Sequence, residues 1–218
     1  MKKILLSIIA ALAFTLPAAA QSIIEDFESN SLEWTECTFK DAAGTAIINK
    51  GVMTITSKGE NKTMGALLTA ATGVATRVGQ NTFFETHCYA PLDPLRPFTI
   101  VAHVTIEKLG EDKLAGFVFN YRDSGTFYCF AFNEGLVNFI RRENGEVVGS
   151  VSQSVKWERT SKLQQTWELR SDGQKLIFLV DDMMVLKVKY MPITYSGVGF
   201  YTFGKQKLVV EDIEFIQN

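Results

Sequence analysis

The 218-residue sequence contains few of the side chains from which metal and nucleophilic sites are usually built. It has only two histidines and three cysteines, and the cysteines are Cys37, Cys88 and Cys129. No C-x-x-C pair occurs, so neither a zinc ribbon nor a redox motif is indicated. An odd number of cysteines allows at most one disulfide, and the surroundings of Cys88 and Cys129 are those of buried strand residues.

An excess of positive charge is also missing. Without its first twenty residues the chain keeps 20 basic residues against 24 acidic residues. Nucleic-acid binding depends on clustered cationic charge, and no basic stripe indicates a membrane surface. We therefore expect no nucleic-acid partner.

The chain begins with a segment typical of protein export. Lys2 and Lys3 precede an apolar run over residues 4–16, and small residues at 18–20 precede Gln21. This pattern predicts a signal peptide over residues 1–20. The run is broken by polar residues and is too short for a membrane span, which needs about 20 apolar residues. The remaining residues 21–218 are expected to form one periplasmic or extracellular domain of a bacterial protein, with no membrane insertion after cleavage.

Short runs of Val, Ile, Thr, Phe and Tyr, separated by Gly, Asn, Asp and Ser, fill the rest of the sequence. This pattern predicts an all-β, two-sheet antiparallel β-sandwich. Turn signals at Asn144-Gly145, Asp172-Gly173 and Asp123-Ser124-Gly125 predict hairpins. Around Asp172-Gly173 the expected register sets Leu169 opposite Leu176 and Trp167 opposite Phe178, with these four residues on the core face.

The hairpin at residues 123–125 is expected to pair Tyr121 with Phe127 and Phe119 with Cys129. The opposite face then carries a mixed aromatic and polar set: Val118, Asn120, Arg122, Tyr128, Phe130 and Phe132. A strand that packs on the core with one face and lines a groove with the other would show this pattern. The alternative is that Phe130 and Phe132 form a second small core.

A second polar group follows if the runs before and after the proline-rich residues 91–97 pair with each other. The apolar match then sets Glu85 opposite His103, with His87 diagonally near. This group could transfer protons or bind a metal, or it could be an ordinary polar strand face. Cys88 and His87 are adjacent on a strand, so they point to opposite faces and form no dyad.

The order of segments resembles the concanavalin A-like jelly rolls, and within them laminin-G-like modules and keto-disaccharide hydrolase-like domains of secreted bacterial proteins. The segments that carry the resemblance are 116–123, 125–130, 167–170, 177–181, 197–202 and 210–215. The resemblance implies two stacked sheets, a concave face that binds glycans in many relatives, and neighbouring first and last strands. It also implies a structural calcium in some relatives, for which Asp26 and Asp212 are candidates, although solvated carboxylates are the alternative.

Catalytic acids are not evident in this framework. Glucanases with this fold use Glu-x-Asp-x-Glu on one strand, whereas Val210 precedes Glu211, so only Asp212 and Glu214 share a face. The sequence therefore predicts a non-catalytic glycan-binding module without a cofactor. Its expected site residues are Asn120, Arg122, Tyr128, Phe130, His87 and His103, with Trp157 and Arg141 or Arg142 as a rim.

Two other functions remain open from the sequence. The first is a glycoside hydrolase or lyase of the keto-disaccharide type, in which Glu85 and His103 would supply acid and base. The second is an adhesion or assembly module that binds another exported protein.

Overall fold

A computed structural model describes residues 21–37, 44–58, 83–107, 109–110, 113–156, 162–189 and 191–217. Every regular element in these ranges is a β-strand, and none of them contains a helix long and apolar enough to cross a membrane. In chain order the strands are β1 (Gln21–Glu25), β2 (Gly44–Ile48), β3 (Met53–Ser57), β4 (Phe83–Tyr89), β5 (Phe98–Glu107), β6 (Leu114–Asp123), β7 (Thr126–Phe132), β8 (Leu136–Glu143), β9 (Glu146–Ser154), β10 (Lys162–Ser171), β11 (Lys175–Val180), β12 (Met183–Lys189), β13 (Gly197–Phe203) and β14 (Gln206–Gln217).

The strands form two antiparallel sheets. The eight-stranded sheet has the order β12-β11-β10-β5-β14-β3-β2, and β1 also pairs with β14. The six-stranded sheet has the order β4-β13-β6-β7-β8-β9. The predicted two-sheet antiparallel sandwich is confirmed, and so is the neighbouring position of the first and last strands, with Ile23 opposite Phe215.

Aromatic side chains from both sheets fill the space between them. Phe130 of the six-stranded sheet stacks on Phe178 of the eight-stranded sheet, with ring centroids 5.0 Å apart. Phe132 meets Trp167 edge to face at 4.9 Å. All four of these residues are fully buried, so this aromatic layer holds the two sheets together through the burial of large apolar surfaces.

The hairpin between β10 and β11 has the predicted faces but not the predicted register. Leu169 lies opposite Phe178, whereas it was expected opposite Leu176. The two-residue loop is Gly173-Gln174, because Asp172 still pairs with Lys175 and Gly173 has a φ of 79°. The shift is two residues, and a strand has a side-chain period of two, so the apolar residues stay on the core face.

The hairpin between β6 and β7 is shifted by a β-bulge. Asp123 pairs with Thr126 at the turn, but beyond the bulge Phe119 lies opposite Tyr128 rather than Cys129. Asn120 lies in the bulge with a φ of 49°. Residues 120–122 of β6 lie between these two pairs, where β7 has only Phe127. The observed pairing beyond the bulge differs by one residue from the predicted one, so the predicted faces of this hairpin are wrong beyond the turn.

The predicted pairing of β4 with β5 is also wrong. β4 pairs with β13 at the edge of the six-stranded sheet, and β5 lies between β10 and β14 in the eight-stranded sheet. Residues 91–97 therefore cross from one sheet to the other. The three prolines in this segment cannot donate hydrogen bonds to a β-ladder, which suits a connection outside the sheets.

Candidate functional site

The outer face of the six-stranded sheet combines apolar and ionisable side chains. Its centre is formed by the small and apolar residues Val118, Cys129 and Ala131, which are buried together with Tyr201. Around this centre lie five residues that we call the Glu85 cluster: Glu85, His87, Tyr89, Tyr121 and Arg142. Strand pairing places them on one face across β4, β6 and β8.

Two glycines of β13 make room for the cluster. Gly197 lies opposite both Tyr89 and Tyr121, and Gly199 lies opposite His87. A Cβ atom on Gly199 would come within 2.0 Å of the Thr86 carbonyl oxygen, and one on Gly197 within 2.3 Å of the Tyr121 carbonyl oxygen. Glycine is therefore required at both positions, and no β13 side chain stands between β4 and β6 there.

The aromatic rings of β4 and β6 meet across this gap. His87 stacks on Tyr121 with ring centroids 4.1 Å apart and planes 29° apart. Tyr89 approaches His87 edge to face at 6.0 Å. Tyr89 is 66% exposed, His87 is half-buried and Tyr121 is buried, so the rings lead from solvent towards the centre of the face.

Glu85 lies beside these rings and is partly buried. The Tyr121 hydroxyl donates a hydrogen bond to Glu85 Oε1 at 3.3 Å. Burial raises the pKa of Glu85, and the Tyr121 hydrogen bond and the charge of Arg142 offset this only in part. Burial also raises the pKa of Tyr121, and the charge of Glu85 raises it further. The phenol is therefore neutral at neutral pH and serves as a donor to the carboxylate.

Arg142 supplies the positive charge of the cluster from inside the face. It is only 5% exposed, and its guanidinium carbon lies 6.0 Å from the centroid of the Phe127 ring. Burial lowers the pKa of Arg142, while Tyr201 and Glu85 act in the opposite direction. Burial likewise lowers the pKa of His87, which favours its neutral form.

The cluster offers two kinds of contact to a ligand. The exposed ring of Tyr89, with the edge of His87, forms an apolar surface on which a flat molecule could stack. The Glu85 carboxylate accepts hydrogen bonds from hydroxyl or amine donors. A few polar groups beside aromatic rings are typical of small-molecule binding sites.

The sugar-binding face predicted from the sequence does not exist as one surface. Phe130 is fully buried between the sheets, and Tyr128 is buried beside Phe119 and Phe139. Asn120 is buried, and its Oδ1 accepts hydrogen bonds from the amides of Thr194 and Tyr195 at 2.8 and 2.9 Å. The prediction of a common exposed face is therefore wrong, because the bulge in β6 shifts its pairing with β7 by one residue from the predicted one, and Tyr128 and Phe130 face the core.

Arg122 is the exposed member of that predicted set. Its Nε lies 2.7 Å from the Asp123 carboxylate, and its guanidinium lies 6.0 Å from the Tyr195 ring centroid. It is thus paired at the end of the hairpin. The predicted rim residue Trp157 falls outside the described residues.

The two histidines lie on different sheets. His103 points outward from the eight-stranded sheet, where its Nδ1 lies 2.7 Å from Asp212 Oδ1. The expected group of Glu85, His87 and His103 is therefore wrong as a single site, although Glu85 and His87 do share a face. The hydrogen-bond donor to Glu85 is Tyr121. The register predicted from the sequence had not placed Tyr121 near Glu85.

The two candidate calcium ligands have other partners within the chain. Asp212 binds His103, and Asp26 Oδ1 accepts the amide hydrogen of Glu28 at 3.1 Å. Among the residues that the structure describes, no three His, Cys, Asp or Glu side chains are grouped so as to hold a metal ion. A structural calcium at Asp26 and Asp212 stays a prediction.

The sequence contains a signal that could have located this site. Gly197 and Gly199 occupy alternate positions of one strand, which leaves the first part of one face of that strand without side chains. Glycine inside a strand often marks a place where another group approaches closely. The face of β13 with two glycines is the place where His87 and Tyr121 meet.

Solved structures with the same architecture are numerous. The Emp47p carbohydrate recognition domain matches with a TM-score of 0.59 and 11% identity, covering 90% of this chain and 95% of that chain. A structure from work on endo-acting O-glycanases that initiate mucin breakdown in human gut microbiota matches with a TM-score of 0.57 and 10% identity, covering 89% and 98%. The β-glucanase of Bacillus licheniformis matches with a TM-score of 0.56 and 11% identity, covering 89% and 97%.

These similarities define the class of fold. The chain has a concanavalin A-like jelly-roll fold, which confirms the resemblance seen in its sequence. At such low identities the similarity concerns the fold alone. No protein-family profile matches the sequence, and no curated protein matches it significantly.

Proposed function

We propose that this protein is a glycan-binding module whose ligand occupies the outer face of the six-stranded sheet at the Glu85 cluster. The observation that carries the proposal is the position of an exposed ring, Tyr89, beside a half-buried His87 and a half-buried Glu85 on that face.

The chemistry of sugars fits this arrangement. A pyranose ring has an apolar C–H surface that packs on an aromatic ring, and hydroxyl groups that donate to a carboxylate. The Tyr89 ring is held by its edge contact with His87, and Glu85 is held by the Tyr121 hydroxyl. Positioning of this kind lowers the entropy that binding costs. The carbohydrate recognition domain and the β-glucanase with the same fold add circumstantial support.

Glycan-array screening of residues 21–218, followed by isothermal titration calorimetry with the oligosaccharides that bind, tests the proposal. We expect Tyr89→Ala to weaken binding about tenfold or more, as for an aromatic anchor at an interface. Leu95→Ala is the matched control, since Leu95 is 79% exposed but lies in the loop between β4 and β5. Absence of binding to every glycan, or equal binding by the Tyr89→Ala variant, contradicts the proposal.

A second candidate function is a glycoside hydrolase or lyase. It is favoured by the partial burial of Glu85, which raises the pKa of this carboxyl group in the direction that a general acid requires. His103 cannot be its partner because it lies on the other sheet. Release of reducing ends or unsaturated products from bound oligosaccharides, abolished by Glu85→Gln, would establish this activity.

We also propose that the protein is exported. Residues 1–20 carry the pattern of a signal peptide. Expression of the full chain in a bacterium, followed by N-terminal sequencing of the protein in the periplasm or medium, should return a chain that begins at Gln21. Uncleaved protein confined to the cytoplasm would contradict export.

A further inference from the structure

We propose, resting on the glycan-binding function above, that the Glu85 cluster selects neutral glycans and rejects glycans that carry carboxylate or sulfate groups. The selectivity follows from which charges of the cluster a ligand can reach. Specificity of this kind arises as much from unfavourable contacts with the wrong ligand as from favourable contacts with the right one.

The negative charge of the cluster is the accessible one. Glu85 is half-buried on the edge strand β4, on the same face as the exposed Tyr89 and separated from it by His87. Arg142 is 5% exposed and its guanidinium packs over Phe127, so a ligand reaches this cation less readily than it reaches Glu85. Of the two charged groups of the Glu85 cluster, the carboxylate is therefore the one that a ligand lying along β4 can reach.

Among the residues that the structure describes, the phenols and the imidazole that lie near Glu85 carry no positive charge at neutral pH. Tyr121 of β6 and Tyr201 of β13 are phenols whose pKa values are raised by burial. His87 of β4 has a pKa lowered by burial, so its ring is neutral. Arg122, at the end of β6, is paired with Asp123 at 2.7 Å.

An acidic sugar would therefore place a second anion beside Glu85. Two carboxylates that share a site repel each other, and one of them must take up a proton for both to stay. A neutral sugar instead donates hydrogen bonds from its hydroxyl groups to the same oxygens. Such hydrogen bonds are stronger when the acceptor is charged. The same group thus favours one class of glycan and disfavours the other.

Matched oligosaccharides that differ only at C6 test this inference. The first pair is a β-1,4-glucan oligosaccharide and its C6-oxidised glucuronate form, and the second is a galactan oligosaccharide and the corresponding galacturonate oligosaccharide. By calorimetry at neutral pH we expect the neutral member of a bound pair to bind at least about tenfold more tightly. Glu85→Gln should reduce this ratio to less than about threefold, because it removes the charge but keeps an acceptor.

Asp212→Asn is the control, because it removes one carboxylate from the outer face of the other sheet and should leave the ratio unchanged. A ratio near one, tighter binding of the acidic member, or a ratio that Glu85→Gln does not change overturns the selectivity while leaving glycan binding intact. If neither pair nor any other glycan binds, the proposed function itself is contradicted, and the selectivity with it.

Discussion

The outer faces of the two sheets differ in what occupies their middle strands. On the eight-stranded sheet β5 presents Thr99, Val101, His103 and Thr105 outward, and each has a cross-strand neighbour on β10 and β14. On the six-stranded sheet β13 presents Gly197 and Gly199 outward. The first face is covered evenly by side chains, whereas the second has a gap at its second strand.

That difference decides how far a side chain can reach. His103 contacts Asp212 on the neighbouring strand. His87 contacts Tyr121 two strands away, because the intervening strand has no side chain in the way. Missing side chains in one strand can thus create a cluster between its two neighbours, and this is why the Glu85 cluster lies on the six-stranded sheet.

Filling the gap in β13 with a side chain should have the largest effect on stability. Gly199→Ala places a Cβ atom 2.0 Å from the Thr86 carbonyl oxygen, which belongs to backbone and cannot move without shifting β4. We expect the free energy of unfolding to fall by about 3 kcal/mol, as for overpacked positions. Chemical denaturation followed by tyrosine and tryptophan fluorescence measures the loss.

Gly135→Ala is the control for this substitution. No atom lies within 4 Å of the place where its Cβ would stand, and its backbone φ is not in the left-handed region. It should change stability by less than about 0.5 kcal/mol. Equal stability of the two variants would show that β13 tolerates a side chain and that the gap is not required.

Replacing Asn120, which lies in the bulge of β6, should have a smaller effect on stability. Asn120→Ala deletes the acceptor of the Thr194 and Tyr195 amides and places alanine at a φ of 49°. We expect a loss of about 2 kcal/mol from the unpaired amides. Arg122→Ala, at an exposed neighbouring position, should cost less than about 0.5 kcal/mol. A stable Asn120→Ala variant would contradict the role given to this side chain.

The fold was predictable from the sequence because its periodic signals are redundant. A register error of two residues at Gly173 leaves Trp167 and Leu169 on the core face, so the sandwich survives the error. The β1–β14 pairing likewise followed from a resemblance carried by many segments. Fold prediction tolerates such shifts because burial repeats every second residue.

The site was much less predictable, because it depends on single residues and on long-range pairing. The bulge at residues 120–122 shifts the β6–β7 pairing by one residue from the predicted one, and Tyr128 and Phe130 lie in the core rather than on the expected face. The loop at residues 91–97 connects β4 to the other sheet, and no local signal distinguishes this from a hairpin. Glu85 and His87 were singled out correctly as neighbours on one face, but their contact with Tyr121 requires knowledge that β13 lies between β4 and β6.

The mildest test compares the only two histidines in the chain. His87→Ala removes the ring that stacks on Tyr121 and should cost about 1 kcal/mol of stability. His103→Ala removes an exposed contact with Asp212 and should cost less than about 0.5 kcal/mol. Both are measured by denaturation at neutral pH.

The pH dependence sharpens this last comparison. Burial lowers the pKa of His87 below its ordinary value of 6.5. At pH values between the lowered pKa and the ordinary value, His87 therefore binds more protons in the unfolded chain than in the folded chain. The stability that neutral His87 contributes is fully present above the ordinary value and is lost as the pH falls from that value through the lowered pKa of the folded chain. The cost of His87→Ala should therefore shrink in acid. Since Glu85 titrates in acid as well, the series is measured in the Glu85→Gln background. A His87 signal in nuclear magnetic resonance that titrates at or above the ordinary value would contradict a buried, stacked ring and with it the contrast between the two faces.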